Sequence, residues 1–199
     1  MTEVCNFDPK KTALLCMDYQ SAIVAAYGGA GADELLARAS NVLAMARAAG
    51  MMVIYIQVGF REGFPEITGR NALFNMVKND PQRRQMFDGP AREIHSRVAP
   101  EKSDIVVTKH RVSAFAGTDL EMVLRANEID TLVLFGIATS GVVLSTLTEA
   151  FDLDYKLFVI EDLCADGNPE LHINLIRFYS GRGTVIKAAE FVDALYKHP

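Results

Sequence analysis

Six short apolar runs are spaced along the chain, and most are followed by a stretch whose apolar positions recur at helical spacing. The runs are Thr12–Met17, 51–58, 104–108, 131–135, 155–160 and 183–186. They are rich in Val, Ile and Leu and do not alternate with polar residues, which predicts strands covered on both faces. Helices are predicted over 32–49, 71–78, Leu120–Ala126, onward from Thr139, over 170–179 and over Ala188–Tyr196. In the first of these, Leu35, Leu36, Ala39, Val42, Leu43 and Ala46 share one face, and Gly50 stops it. Strand and helix alternate with no antiparallel hairpin signal. That pattern predicts a doubly wound α/β chain, a parallel sheet between two helical layers, as one domain over 1–199.

Two places depart from the alternation. The four residues 28–31 are glycine-rich but lie well past the first strand and lack the spacing of a phosphate cradle, so they read as a flexible connection. The stretch 66–100 is the least regular, punctuated by Pro81, Gly89, Pro90 and Pro100. An excursion of this kind between strands can form a lid or an oligomer contact, and both uses stay open.

Ligand sites in such sheets form at the carboxyl ends of strands, which directs attention to Asp18 and the turn after 135; Lys109, after the third strand, reads by itself as a solvated surface group. Asp18 follows the first strand and is either a site carboxylate or a cap for what comes next. At 136–142, Gly136 allows a change of direction, and Thr139 or Ser140 can cap the helix whose first amides lack partners. Asp119 is placed to start the helix at 120, and His172 reads as structural. In the loop after 58, Phe60 and Arg61 are candidates for substrate contact, with a solvated arginine as the alternative.

The net charge is −5 with no basic cluster, so nucleic acid and anionic membrane surfaces are not expected partners. No apolar run approaches the roughly 20 residues of a membrane span, and the first residues lack the apolar core of a signal peptide. The expectation is a soluble cytoplasmic protein. Cys5, Cys16 and Cys164 form no C-x-x-C pair and no zinc spacing, which fits a reduced compartment and three small core residues.

The stretch Gly136-Ile137-Ala138-Thr139-Ser140-Gly141-Val142 resembles the nucleophile turn of the isochorismatase-like, or cysteine, hydrolases, whose usual form is Gly-Val-Ala-Thr-x-x-Cys. Val142 stands at the cysteine position. Asp18-Tyr19-Gln20 is similar to that family's Asp-x-Gln, and the 109–120 block is similar to its Lys-x-Arg-x-Ser-Ala-Phe followed by Gly-Thr-Asp-Leu. The resemblance covers essentially the whole chain. It implies a six-stranded sheet of order 3-2-1-4-5-6, in which the ends of the first and fourth strands are neighbours.

It also implies site roles. Asp18 and Lys109 are the catalytic acid/base and its partner. A cis peptide at Ile137-Ala138 would aim the N–H groups of Ala138 and Val142 at an oxyanion. Gln20, Phe60, Arg61, Phe115, Thr139 and Ser140 line the substrate. Nicotinamidase-like relatives carry Asp-x-His-x-His after the second strand; no histidine lies there in this chain, so no metal and no cofactor are expected. The resemblance further implies a homo-oligomer, dimer or tetramer, acting on a small molecule. Since valine is no nucleophile, the expected reaction is a hydrolysis without a thiol, such as that of a vinyl ether. The alternatives are a relative that binds a small molecule or partner without turnover, and an amide hydrolase using another nucleophile.

Overall fold

The apolar runs assemble into one parallel sheet in the computed structural model, which describes residues 7–196. The strands are β1 (Thr12–Met17), β2 (Met52–Val58), β3 (Ile105–Lys109), β4 (Thr131–Gly136), β5 (Lys156–Ile160) and β6 (Thr184–Ile186). Their order is β3-β2-β1-β4-β5-β6, as the sequence resemblance implies. Every residue of β1 and β4 is buried. These strands carry side chains into helical layers on both faces, which is why they read as unbroken apolar runs.

The helices are α1 (Ser21–Tyr27), α2 (Ala32–Ala48), α3 (Ala72–Asn79), α4 (Pro81–Gln85), α5 (Leu120–Ala126), α6 (Leu144–Asp152), α7 (Pro169–Tyr179) and α8 (Ala188–Tyr196). The predicted face of α2 is its buried face. Asn168 starts α7, its side chain accepting from the N–H groups of Glu170 and Leu171, with Pro169 in the first turn. Asp119 takes the cap position of α5, as expected, but its side chain makes no capping bond. The 29–31 stretch is a turn of 3-10 helix leading into α2 rather than a free connection.

The excursion between β2 and β3 is tied to the carboxyl edge of the sheet. Ser21 N–H donates to Glu93 O at 2.9 Å, and His95 N–H donates to Tyr19 O at 2.9 Å. Beneath it, Phe60 packs against Phe64, Phe74 and Phe87 with ring centroids 5.5–5.6 Å apart. Phe74 is buried and the other three rings are half-buried; full burial of such a ring supplies roughly 1.5–3 kcal/mol and partial burial less, so this segment has a modest apolar anchor of its own. Among the described residues, no helix is long and apolar enough to cross a membrane.

Candidate functional site

Parallel strands that all end on one edge bring distant residues together there. β1 ends at Met17, and Asp18 turns out of the sheet with φ 56°. Aspartate tolerates this left-handed region better than most side chains, and the N–H of Asp18 is held by Ile56 O at 2.8 Å. Lys109 closes β3 and pairs in register with Val58 of β2. Its long stem reaches across to Asp18, with Nζ 2.8 Å from Oδ2 and 3.2 Å from Arg111 O.

Only 8% of the Asp18 side chain and 3% of the Lys109 side chain are exposed. Burial raises the pKa of the Asp18 carboxyl, and the Lys109 charge and hydrogen bond oppose that without cancelling it. Oδ1 of Asp18 is buried and has no partner among the described residues. The pair is therefore a carboxyl group that holds its proton more tightly than a surface aspartate, with one oxygen free to give or take it.

The turn after β4 lies beside this pair, because Gly136 is the register partner of Met17. Gly136 is needed for close approach and not for an unusual φ. A Cβ there would come 2.8 Å from Met17 O, 2.9 Å from Met17 Cβ and 3.3 Å from Val142 Cγ1. The Ile137-Ala138 peptide is cis. Thr139–Val143 is a single wide π turn that leads into α6. Val142 is 2% exposed.

The residues expected to touch substrate separate into three groups. Asp18, Lys109, Ile137, Ala138 and Val142 meet at one edge. Phe60 and Arg61 leave β2, the strand between those of Asp18 and Lys109, and a cleft of about 530 Å³ is lined by them with Gln57, Gly59, Arg92 and His110. Asp18, Lys109 and Val142 do not line that cleft. Arg61 is ion-paired with Glu66.

The third group is committed elsewhere. Gln20 spends its amide on backbone, donating to Val58 O at 2.9 Å and Arg92 O at 2.6 Å and accepting from Val58 N–H at 2.8 Å. Phe115 is buried and stacks on Tyr155, the residue just ahead of β5, with ring centroids 6.1 Å apart. Thr139 is fully buried and caps nothing; its hydroxyl lies 2.8 Å from His172 Nδ1. Ser140 is no side-chain cap either, and its N–H donates to Asp166 Oδ2 at 2.7 Å.

The two described cysteines offer no nucleophile. Cys16 is inside β1, and burial pushes its thiol well above the ordinary range. Cys164 is likewise buried, its thiol pushed up to about 12 by burial, and Sγ donates to Ile160 O. Cys5 lies outside the described residues. Among the described residues, no group of three or more His, Cys, Asp or Glu side chains is placed to hold a metal ion.

The isochorismatase domain profile matches residues 12–190. An uncharacterised isochorismatase family protein of Escherichia coli O157:H7, YecD, is 34% identical over 192 residues, covering 96% of this chain and 99% of the relative. An isochorismatase family protein from Burkholderia thailandensis superposes with a TM-score of 0.85 at 25% identity, over 98% of this chain and 100% of that one. N-carbamoylsarcosine amidase from Thermoplasma acidophilum superposes with a TM-score of 0.69 at 26% identity, over 89% and 96%. The profile match runs from β1 into α8 and takes in the Asp18 edge, Lys109 and the 136–142 turn, so the chain belongs to the isochorismatase family.

Proposed function

We propose that this protein is a thiol-independent hydrolase of a small molecule, with Asp18 as general acid/base and Lys109 as its electrostatic partner. The supporting observation is the buried Asp18–Lys109 pair, whose carboxyl is raised and whose Oδ1 is open. A raised carboxyl keeps its proton over a wider pH range, which suits an acid, and the ammonium 2.8 Å away stabilises the carboxylate left after transfer.

The reaction this pair supports best is vinyl-ether hydrolysis. Asp18 gives its proton to the methylene carbon, and the C=C pair forms the new C–H bond. The resulting oxocarbenium ion is captured by water, which returns a proton to Asp18. The hemiketal then collapses to a ketone and an alcohol. No covalent enzyme intermediate is formed, and Val142 is asked only to pack. The fold likeness to an amidase supports a second reading, amide hydrolysis by a water that Asp18 activates as base.

The test is a screen of vinyl ethers, amides and esters, followed by Asp18→Asn and Lys109→Ala on any activity found. Loss of general acid catalysis lowers kcat by about 10²–10⁴. Undiminished turnover in both variants ends the proposal, and ligand binding with no turnover by the native chain favours a binding role instead.

A further inference from the structure

The turn bearing Val142 is held from behind by a segment remote from the acid pair. Thr139 is 0% exposed, and the segment 165–179 engages each of its polar groups. Its N–H donates to Ala165 O at 2.9 Å. Its hydroxyl is 2.8 Å from His172 Nδ1 and 3.2 Å from Ala165 O. Its carbonyl accepts from the Tyr179 hydroxyl at 2.6 Å. One residue on, Asp166 holds the N–H of Ser140.

These bonds meet a turn of unusual width. Val143 N–H reaches back to Ala138 O, and Leu144 N–H is shared between Gly141 O and Thr139 O. Five-residue spacing of this kind is rare and occurs as isolated turns, frequently at functional sites. In ordinary helical register, Thr139 O would take the N–H of Val143. In the wide register it is left to Leu144 and to Tyr179. His172 and Tyr179 are seven residues apart, two turns of α7, and so present one face to the turn. Tyr179 on α7 thus engages a carbonyl whose ordinary helical partner the wide register takes away.

We propose that His172 and Tyr179 are positioning residues. They fix the wide register of 139–143, and with it the place of residue 142 against Gly136, next to the end of β1. Only the consequence for turnover rests on the acid–base reading above; the placement itself does not.

The test puts a reporter at the position concerned. In the full chain carrying Val142→Cys, iodoacetamide modification of residue 142 is followed by peptide mass mapping under native conditions, beside a thermal melt. A buried thiol reacts only when the turn opens. Adding Tyr179→Phe or His172→Leu is expected to speed modification roughly five- to tenfold, the change that loss of one buried hydrogen bond makes in an opening equilibrium. His172→Asn, which keeps a polar atom near the place of Nδ1, is expected to restore the slow rate.

Ile186→Ala, in β6 and away from the turn, serves as the destabilised control and is expected to leave the rate unchanged. Equal rates in the parent and both α7 variants overturn the proposal. So does an Asn variant as fast as the Leu variant, or a control that accelerates as much as they do. Should His172→Leu not fold, Tyr179→Phe alone decides. On any turnover found, both α7 variants lower kcat with little change in KM. Undiminished turnover in Asp18→Asn would sink the acid–base reading and leave the modification result standing.

Discussion

Removing the members of the buried pair singly and together separates a working ion pair from two independent charges. Asp18→Asn keeps the shape and an accepting oxygen but removes the only countercharge from Lys109 Nζ, leaving a buried ammonium, its side chain 3% exposed, with two neutral oxygens, the new amide and Arg111 O at 3.2 Å. Lys109→Met strands a carboxylate that already has one oxygen without a partner. Breaking a buried pair at one end costs about 3–5 kcal/mol. Deprotonation of the stranded ammonium, or protonation of the stranded carboxylate, limits the cost toward the lower figure. Replacing both ends removes both buried charges; exchanges of this kind to apolar residues run from neutral to roughly 1–4 kcal/mol stabilising, and the amide left buried at position 18 takes back about 1–3 kcal/mol. The double variant should therefore stand close to the native chain. The coupling in the cycle should be several kcal/mol, above the ~0.5 kcal/mol scatter of independent sites. At ~2–4 °C per kcal/mol for a chain of this size, each single variant melts roughly 10 °C lower and the double variant does not. Denaturant unfolding at pH 7 with unchanged m-values measures it. If the double variant loses the sum of the two single losses, the groups do not share a field and the proposed chemistry loses its basis.

Other outcomes follow from the same geometry. Gly136→Ala puts a Cβ 2.8 Å from Met17 O and 2.9 Å from Met17 Cβ, both fixed in β1; it should cost roughly 1–3 kcal/mol, whereas Gly69→Ala, with nothing within 4 Å, should leave the melting temperature unchanged. Equal melts for the two would refute the packing argument. The raised carboxyl of Asp18 fixes the sign of a pH effect. Its contribution to stability is full below the unfolded value of about 3.9 and is lost as pH rises through the folded value, so the native chain should lose ground against Asp18→Asn with rising pH. A native chain that instead gains on the variant has a lowered carboxyl and no acid. Val142→Cys should gain slow thiol-dependent amide hydrolysis, limited by the same turn opening that admits iodoacetamide and abolished by that reagent; a fully modifiable thiol at position 142 with no new activity would show that the pair does not serve a thiol.

The inner strands were legible because burial on both faces leaves a signal within each run; the edge strands depart from that expectation, with Val106 and Thr108 of β3 exposed and only Ile186 of β6 buried, and the 3-2-1-4-5-6 order came with the resemblance. The short helix α1 was not, since only Ile23 and Val24 of its seven residues are buried and Gln20 makes no capping bond. The hold on the site was legible least. Spacing reveals partners within about four residues, yet Gln20 bonds 38 and 72 residues away, Ser140 26, and Thr139 33 and 40. A hydroxyl at a helix start reads as a cap until α7 is brought up to it. Phe115 fits a substrate-facing place in the motif, but its ring packs on Tyr155 instead. Asp18 was legible at a strand end, where the topology itself does the gathering, whereas Lys109 came with the resemblance, since a lysine after a strand reads alone as a solvated group.

Val142 narrows the chemistry further. Its side chain is spent on packing against Gly136, so it forms part of the wall and does not leave a vacancy for a missing sulfur. With the two described cysteines, Cys16 and Cys164, buried and their thiols raised, the proposed reading gives proton transfer at this edge to Asp18 and Lys109. A proton without a covalent nucleophile does little for an amide, whose carbonyl still needs strong attack and whose amine leaves poorly. It does a great deal for a vinyl ether, where carbon protonation alone creates the cation that water captures. On the proposed reading, a branched hydrocarbon at position 142 selects among reactions open to the same carboxyl and ammonium, toward those in which protonation is the difficult step.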